Sequence, residues 1–106
     1  MPAIDPLIHP PARLQLMTTL TAVSEAEFVT LREALAVSDS VLSKHVSALA
    51  AVGYVASRKG VVDGRRTTWV SITRAGERAL RDHVSALRAL ISAVGQADRV
   101  DRVDQR

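Results

Sequence analysis

The stretch from Ser38 to Thr73 constrains the fold of this 106-residue chain more than any other part of its sequence. It predicts a helix over residues 39–51, because serine is a typical helix cap and Gly53 suits a helix end. An Asp-Gly pair, a hairpin turn signal, lies between two runs that alternate in polarity. The sequence therefore predicts two short strands joined by a turn, over residues 54–59 and 66–72.

Capping residues and apolar spacing predict the remaining elements. Pro10 and Pro11 suit a helix start, and Thr30 with Glu33 forms a capping-box pattern. Further helices are predicted over residues 11–21, 31–36 and 74–94, with Thr73 capping the last and Gly95 ending it. A loop is expected at residues 24–27, a very short strand at residues 28–29, an N-terminal arm at residues 1–10 and a disordered tail at residues 95–106. We expect one domain over residues 11–94, mainly α with a small β-hairpin.

Composition narrows the class of protein. The chain has no cysteine, which excludes disulfides and thiolate metal sites and fits a reducing cytoplasm. It has three aromatic residues, so the core must be built from Leu, Val, Ala and Ile, which suits packed helices. No apolar run approaches the roughly 20 residues that span a membrane. The N-terminal segment, with an early aspartate and several prolines, is a poor signal peptide.

The net charge of +3 is unevenly distributed. Residues 58–81 carry seven Arg and Lys against two acidic residues, a balance of +5. Residues 1–57 carry −2, and residues 82–106 carry no net charge. Clustered positive charge is typical of a protein that binds a polyanion, although a solvated basic surface would look the same by charge alone.

The predicted helix over residues 39–51 has two different faces. Leu42, Val46 and Leu49 share one face at helical spacing. The opposite face is small and polar, and its main members are Ser40, Ser43, Lys44 and Ser47. Small side chains allow close approach to a groove floor, and Ser and Lys can bond to base edges or phosphates. An ordinary solvent-exposed face is the alternative, but such faces usually carry Glu, Gln, Lys and Arg.

Four cations surround the predicted hairpin turn, namely Arg58, Lys59, Arg65 and Arg66. They would repel one another without solvation or an anionic partner, so we favour a nucleic-acid backbone as that partner over a surface that only confers solubility. In the second strand, Thr68, Val70 and Ile72 alternate and should face inward. Trp69 then faces the other way, where a structural role is favoured over stacking on a ligand.

The last helix carries apolar residues at alternating spacings of four and three, namely Leu80, Val84, Leu87, Ile91 and Val94. This is a heptad-like seam. It could dock on its own domain, but a helix of about 30 Å is long for so small a domain, so dimerisation is favoured.

No pattern points to catalysis. The five glycines are scattered, so no phosphate-binding loop is expected. His9, His45 and His83 are far apart and lack metal-ligand spacing, and His45 is expected to be a packed, hydrogen-bonded residue. We therefore expect neither an enzyme nor a bound cofactor or metal.

Four segments carry a resemblance to a known family. They read PARLQLMTTL, FVTLREAL, SDSVLSKHVSALAAVGYV and GRRTTWVSITRAGERAL. In this order and spacing the chain resembles winged helix-turn-helix transcriptional regulators of the MarR/ArsR-like class, in particular the small single-domain winged helix DNA-binding group. The resemblance covers about residues 11–90. It implies a homodimeric bacterial regulator that binds a palindromic operator.

The resemblance also implies roles for particular residues. Recognition-helix positions fall on Ser40, Ser43, Lys44 and Ser47, and wing positions fall on Lys59, Arg65 and Arg66. The Cys pairs and His/Asp clusters of metal-sensing members have no match here. The chain is shorter than typical ligand-sensing MarR proteins, so the resemblance leaves an unknown small-molecule effector as an open alternative.

Taken together, these patterns predict a cytoplasmic, nucleoid-associated transcriptional regulator that binds double-stranded DNA as a homodimer and has no membrane partner. Thr30 and Arg32 would lie near a phosphate. The alternative is a winged-helix module for protein interaction or dimerisation without DNA binding. Asp39 favours that alternative, because a carboxylate repels phosphate, whereas the +5 segment favours DNA. RNA binding is a third and weaker possibility.

Overall fold

The computed structural model describes the backbone of residues 3–104 and the side chains of residues 3–96. Within them the chain forms a helix–turn–helix followed by a β-hairpin and a long helix. The elements are α1 (Pro11–Val23), β1 (Glu25–Glu27), α2 (Phe28–Leu35), α3 (Asp39–Ala51), β2 (Val55–Val62), β3 (Arg65–Ile72) and α4 (Arg74–Asp104). The strands form one antiparallel sheet in the order β1-β3-β2. The predicted mainly α architecture with a hairpin is confirmed, and the sheet gains a third strand.

Strand β1 corrects the prediction for residues 24–29. Glu25 pairs with Ser71 and Glu27 with Trp69, so this stretch is an edge strand rather than a loop. Phe28 is already helical, so the strand predicted at residues 28–29 is wrong. Thr30 lies inside α2 and caps nothing, because the cap position is Glu27. Pairing with a distant strand supplies the backbone hydrogen bonds here, and a strand this short shows no alternation in its own sequence.

Helix α3 begins and ends where the sequence predicts. The Ser38 hydroxyl accepts a hydrogen bond from the Val41 amide at 3.2 Å. Gly53 follows the helix at a φ of +79°, which a residue with a side chain rarely adopts. The turn before α3 reverses direction at Ala36, which has a left-handed φ of 55°. The left-handed Ala36 and the Ser38 cap set the direction in which α3 follows α2, and Gly53 ends α3.

The core lies between the three-stranded sheet and the helices. The inner face of α3 packs there as predicted, since Leu42 and Leu49 are fully buried and Val46 nearly so. The other buried apolar residues come from the N-terminal segment, α1, α2, the two hairpin strands and the start of α4: Ile8, Leu16, Met17, Leu20, Leu31, Leu35, Val55, Val70 and Leu80. Ile8 is fully buried, so this residue of the predicted N-terminal arm is part of the core.

Helix α4 starts as predicted but ends later. The Thr73 hydroxyl accepts a hydrogen bond from the Gly76 amide at 3.0 Å, which caps the helix. The helix then continues through Gly95 to Asp104, so the predicted end at Val94 is wrong. A glycine costs a helix interior about 1 kcal/mol but does not break it, and no proline follows. None of the helices in the described residues is long and apolar enough to cross a membrane.

Candidate nucleic-acid interface

The outer face of α3, defined by Ser40, Ser43, Lys44 and Ser47, is exposed along its whole length. The buried side of the same helix anchors it to the core through Leu42 and Leu49. The helix is therefore held rigidly from behind, while small polar side chains and one amine project outward. This arrangement leaves α3 free to approach a groove closely.

The outer face of α3 borders a cleft of about 370 Å³ that separates it from the sheet. Its lining includes Ser43 and Ser47 from α3, Ser57 and Thr68 from the hairpin, and Phe28 from α2. A neighbouring cleft of about 460 Å³ is also lined by Phe28 and Thr68 and contains the cations Lys59, Arg65 and Arg66. Because the two clefts share Phe28 and Thr68, Ser43 and Ser47 of α3 belong to one continuous surface with the hairpin cations, whereas Ser40 and Lys44 line neither cleft.

The strand register divides the hairpin cations between two faces. Lys59 pairs with Thr68, and Val61 pairs with Arg66, so Lys59 and Arg66 lie on the face that also carries buried Val70. Arg65 lies on the opposite face near the tip. The turn itself has positive φ at Asp63 (51°) and Gly64 (75°), as a two-residue I′ hairpin requires. All three cations are exposed.

Arg58 is engaged within the protein. Its guanidinium donates two hydrogen bonds to the Glu25 carboxylate, at 3.0 and 2.8 Å, and lies 5.2 Å from the ring centroid of Trp69. The hydrogen bonds raise the pKa of Arg58 and lower the pKa of Glu25. The structure therefore separates Arg58 from the other hairpin cations. Trp69 contacts this guanidinium, in line with the structural role predicted for it.

Arg32 is likewise paired. Its Nη1 donates to Oδ1 of Asp39 at 2.8 Å, and its Nη2 lies 3.9 Å from a Glu33 carboxylate oxygen. The hydrogen bond to Asp39 raises the pKa of Arg32. The pair joins α2 to the first turn of α3. Thr30, the other residue predicted near a phosphate, is exposed on α2.

A partly buried polar cluster, which the sequence does not predict, joins the N-terminal segment to α4 and to the residue before β2. His83 is fully buried, and its Nδ1 accepts a hydrogen bond from the Asp5 amide at 2.9 Å. The Tyr54 hydroxyl donates to the Asp5 carboxylate at 2.7 Å. Burial, and then the nearby His9, lowers the pKa of His83. No spacing in the sequence signals this cluster, because its members come from three distant segments.

His45 occupies the position that the sequence predicts. Its Nδ1 accepts a hydrogen bond from Nε of Arg13 at 3.1 Å, which joins α3 to α1. Burial, and then the charges of Arg13 and Lys44, lowers the pKa of His45. Among the described residues, no group of three His, Cys, Asp or Glu side chains is arranged to hold a metal ion.

The apolar seam of α4 divides into two parts. Leu80 is buried, and Val84 packs against the core. Leu87 is half-buried, whereas Ile91 is 68% exposed and Val94 64% exposed. The first part of the seam therefore docks on its own domain, and the second part faces outward.

Comparison with known proteins gives this geometry a context. Residues 12–91 match the family described as winged helix DNA-binding domain. An uncharacterised protein of Methanocaldococcus jannaschii, MJ0432, is 31% identical over 72 residues, which covers 68% of this chain and 78% of that protein.

Solved structures agree with that match. A transcriptional regulator homologue from Pyrococcus horikoshii OT3 superposes with a TM-score of 0.78 at 28% identity, and the match covers 83% of this chain and 87% of that one. A zinc-responsive MarR family member of Lactococcus lactis, ZitR, gives a TM-score of 0.57 at 17% identity, covering 81% of this chain and 58% of that one. At that identity the second likeness concerns the fold alone.

Proposed function

Because this chain belongs to the winged helix DNA-binding domain family, whose structural neighbours include transcriptional regulators, we propose that it is a homodimeric, sequence-specific regulator of transcription acting on an inverted-repeat operator at the nucleoid. One observation carries the proposal. Ser43 and Ser47 of α3 border one continuous surface with the cations Lys59, Arg65 and Arg66, so a single duplex can touch both the helix and the hairpin.

On this proposal, α3 lies in the major groove. Ser40, Ser43 and Ser47 bond to base edges or phosphates, and Lys44 reaches a guanine or a phosphate. The small side chains allow the helix backbone to approach the bases. Helix α2 crosses above the groove and brings Thr30 toward the sugar–phosphate backbone.

The hairpin supplies the contacts that do not depend on sequence. Lys59 and Arg66 share the face turned toward the helices, and Arg65 extends from the tip, so they would meet phosphates beside the groove that α3 occupies. Arg58 plays a different part. Its bonds to Glu25 hold the base of the hairpin against β1, so we assign it to hairpin orientation rather than to phosphate contact.

Assembly follows from the exposed part of α4. Leu90, Ile91 and Val94 form an apolar strip that is 57–68% exposed in one chain. Two copies packed about a two-fold axis would bury this strip and present two α3 helices to successive turns of the same DNA face. Half-sites would then be inverted and centred about 10 base pairs apart. A protein-interaction module without DNA binding would use the same strip, but its α3 surface would bind no nucleic acid.

The test compares two double variants that lose the same charge. Arg65→Ala with Arg66→Ala should weaken binding to every duplex and lower the slope of log affinity against log salt by about one to two. Arg78→Ala with Arg81→Ala, on α4, is the matched control and should leave the slope nearly unchanged.

Two outcomes would contradict the proposal. Equal losses in both double variants would mean that only overall charge matters and that the hairpin has no specific part. Absence of salt-dependent binding by the unmodified protein to any duplex would favour the interaction module instead.

A further inference from the structure

Asp39 is an acidic residue on the surface proposed to meet DNA. It lies in the first turn of α3, and its side chain is 69% exposed. Asp39, Ser43 and Ser47 follow one another at four-residue spacing, and all three line the same cleft. A carboxylate there repels phosphate and weakens binding that does not depend on sequence.

The structure fixes the direction of this carboxylate. Nη1 of Arg32, on α2, donates to Oδ1 at 2.8 Å, and the Arg32 side chain is 33% exposed. No hydrogen bond within residues 3–96 ends on Oδ2, so one oxygen is held and the other is available to a ligand. The positive guanidinium also balances the charge of the carboxylate locally, which reduces its repulsion of a nearby phosphate.

An ionised carboxylate only accepts hydrogen bonds. In the major groove, guanine offers acceptors at N7 and O6, and thymine offers an acceptor at O4 and a methyl group. Adenine offers a donor at N6, but its neighbouring acceptor N7 repels a carboxylate oxygen that approaches it. Cytosine offers the N4 donor without a neighbouring acceptor on its own edge. Cytosine is therefore the base that best fits a carboxylate at this position.

We propose that Asp39 determines specificity by accepting a hydrogen bond at Oδ2 from the N4 amine of a cytosine, with Arg32 as its positioning residue. The proposal rests on the proposed function, since it assigns a base contact to the same α3 surface. It gives Asp39 a part in sequence recognition, at a cost in affinity for random DNA.

The experiment selects bound fragments from random duplex DNA with the full chain and two variants. Asp39→Asn replaces the acceptor oxygen with a donor amide at nearly constant shape. Glu33→Gln is the matched control, because it removes the same charge from a 71% exposed side chain of α2 that also lies near Arg32. Thermal unfolding of each variant is measured in parallel, so that affinities refer to folded protein.

The unmodified protein should enrich cytosine about tenfold or more over the other bases at one position of each half-site. Asp39→Asn should abolish that preference alone, leave the remaining positions unchanged and bind random duplex more tightly. Glu33→Gln should retain the whole sequence preference.

A second variant tests the positioning role. Arg32→Met removes every donor from this side chain, including the one that holds Oδ1, and it should weaken the same cytosine preference without shifting the preferences at other positions. Combined with Asp39→Asn it should cause no further loss at that position, because both changes act on one contact.

The outcomes separate the two proposals. An Asp39→Asn protein that still prefers cytosine at every position where the unmodified protein does would overturn the role of Asp39 and leave the proposed function standing. An unmodified protein that enriches no sequence would contradict the proposed function, and the role of Asp39 with it.

Discussion

Protonation of His83 should lower the stability of the protein, because its imidazole is buried. One ring nitrogen is hydrogen-bonded and the other has no partner within the described residues. Its Nδ1 accepts from the Asp5 amide, so the proton of the neutral ring is on Nε2, which makes no hydrogen bond within the described residues. His9 lies nearby, with ring centroids 5.6 Å apart. A second proton, on Nδ1, would break the bond to Asp5 and place a charge in the core.

This arrangement predicts lower stability in mild acid. The folded-state pKa of His83 lies below the ordinary value of about 6.5, so the unfolded chain takes up the proton first as the pH falls. The free energy of unfolding should therefore decline below about pH 6.5 and level off, for this group, once the pH passes the lowered pKa. Urea unfolding between pH 8 and 4.5 measures the decline.

Two variants assign the effect to a residue. His83→Gln should reduce the decline, whereas His45→Gln should leave the share of His83 in place, although the pKa of His45 is lowered too. A His83→Gln protein that loses as much stability in acid as the unmodified protein would contradict the assignment.

The sequence predicts where the charged residues lie but does not predict which of them are paired. The sequence identifies the cations and places most of them on exposed positions, because charged side chains stay at the surface. It does not reveal that Arg32 and Arg58 are held by Asp39 and Glu25, since these acids lie on other elements of the fold. Which cations remain for DNA is therefore a property of the tertiary structure.

At the scale of elements, two glycines of α4 have opposite consequences. A Cβ on Gly76 would overlap the carbonyl oxygen of Tyr54, where α4 meets the end of α3 and the start of β2. A Cβ on Gly95 would meet nothing within 4 Å. The first glycine is required by close packing, whereas the second only weakens the helix.

The same substitution should therefore change stability in opposite directions. Gly76→Ala should destabilise the domain by about 1–3 kcal/mol through overpacking. Gly95→Ala should stabilise α4 locally by about 0.5–1 kcal/mol, because alanine is the better helix former. Thermal and urea unfolding measure both. A Gly76→Ala protein as stable as the unmodified chain would show that the backbone at Tyr54 yields easily.

Elements with strong local signals are the ones that the sequence predicts well. Helix α3 combines a serine cap, apolar periodicity and a C-terminal glycine, and its predicted bounds are correct. Strand β1 has none of these and exists because β3 offers an edge for pairing. The end of α4 was misjudged because a single glycine weakens a helix without ending it. Local sequence signals determine the bounds of α3. Pairing with β3 determines β1, and a small difference in helix propensity determines where α4 ends.

At the scale of the whole molecule, α4 gives the chain its elongated shape, 69 Å in its longest dimension. Its 31 residues extend well beyond the core that Leu80 and Val84 join. A partner that covered the exposed apolar strip of this helix would remove its side chains from water. In the proposed homodimer, that partner is the same strip of a second copy.

The dimer predicts a specific response to charge. Ile91→Asp with Val94→Asp should produce a folded monomer that binds an inverted repeat far more weakly, because each half-site must then be bound alone. Both side chains are already exposed in one chain, so folding should be spared. Ala89→Asp with Ser92→Asp adds the same charge at exposed positions on the opposite side of α4 and should remain dimeric. Sedimentation at micromolar concentration, beside a DNA titration, distinguishes the two. An unmodified protein that sediments as a monomer would contradict the dimer.

One titration tests whether α3 and the hairpin together recognise double-stranded DNA by its sequence. A duplex obtained by selection and a scrambled duplex of the same composition are titrated with the unmodified protein at a fixed salt concentration near physiological. If the protein recognises sequence, the selected duplex should bind about a thousandfold more tightly than the scrambled one, or tighter still. Equal affinity for the two duplexes, or binding to neither, would contradict it.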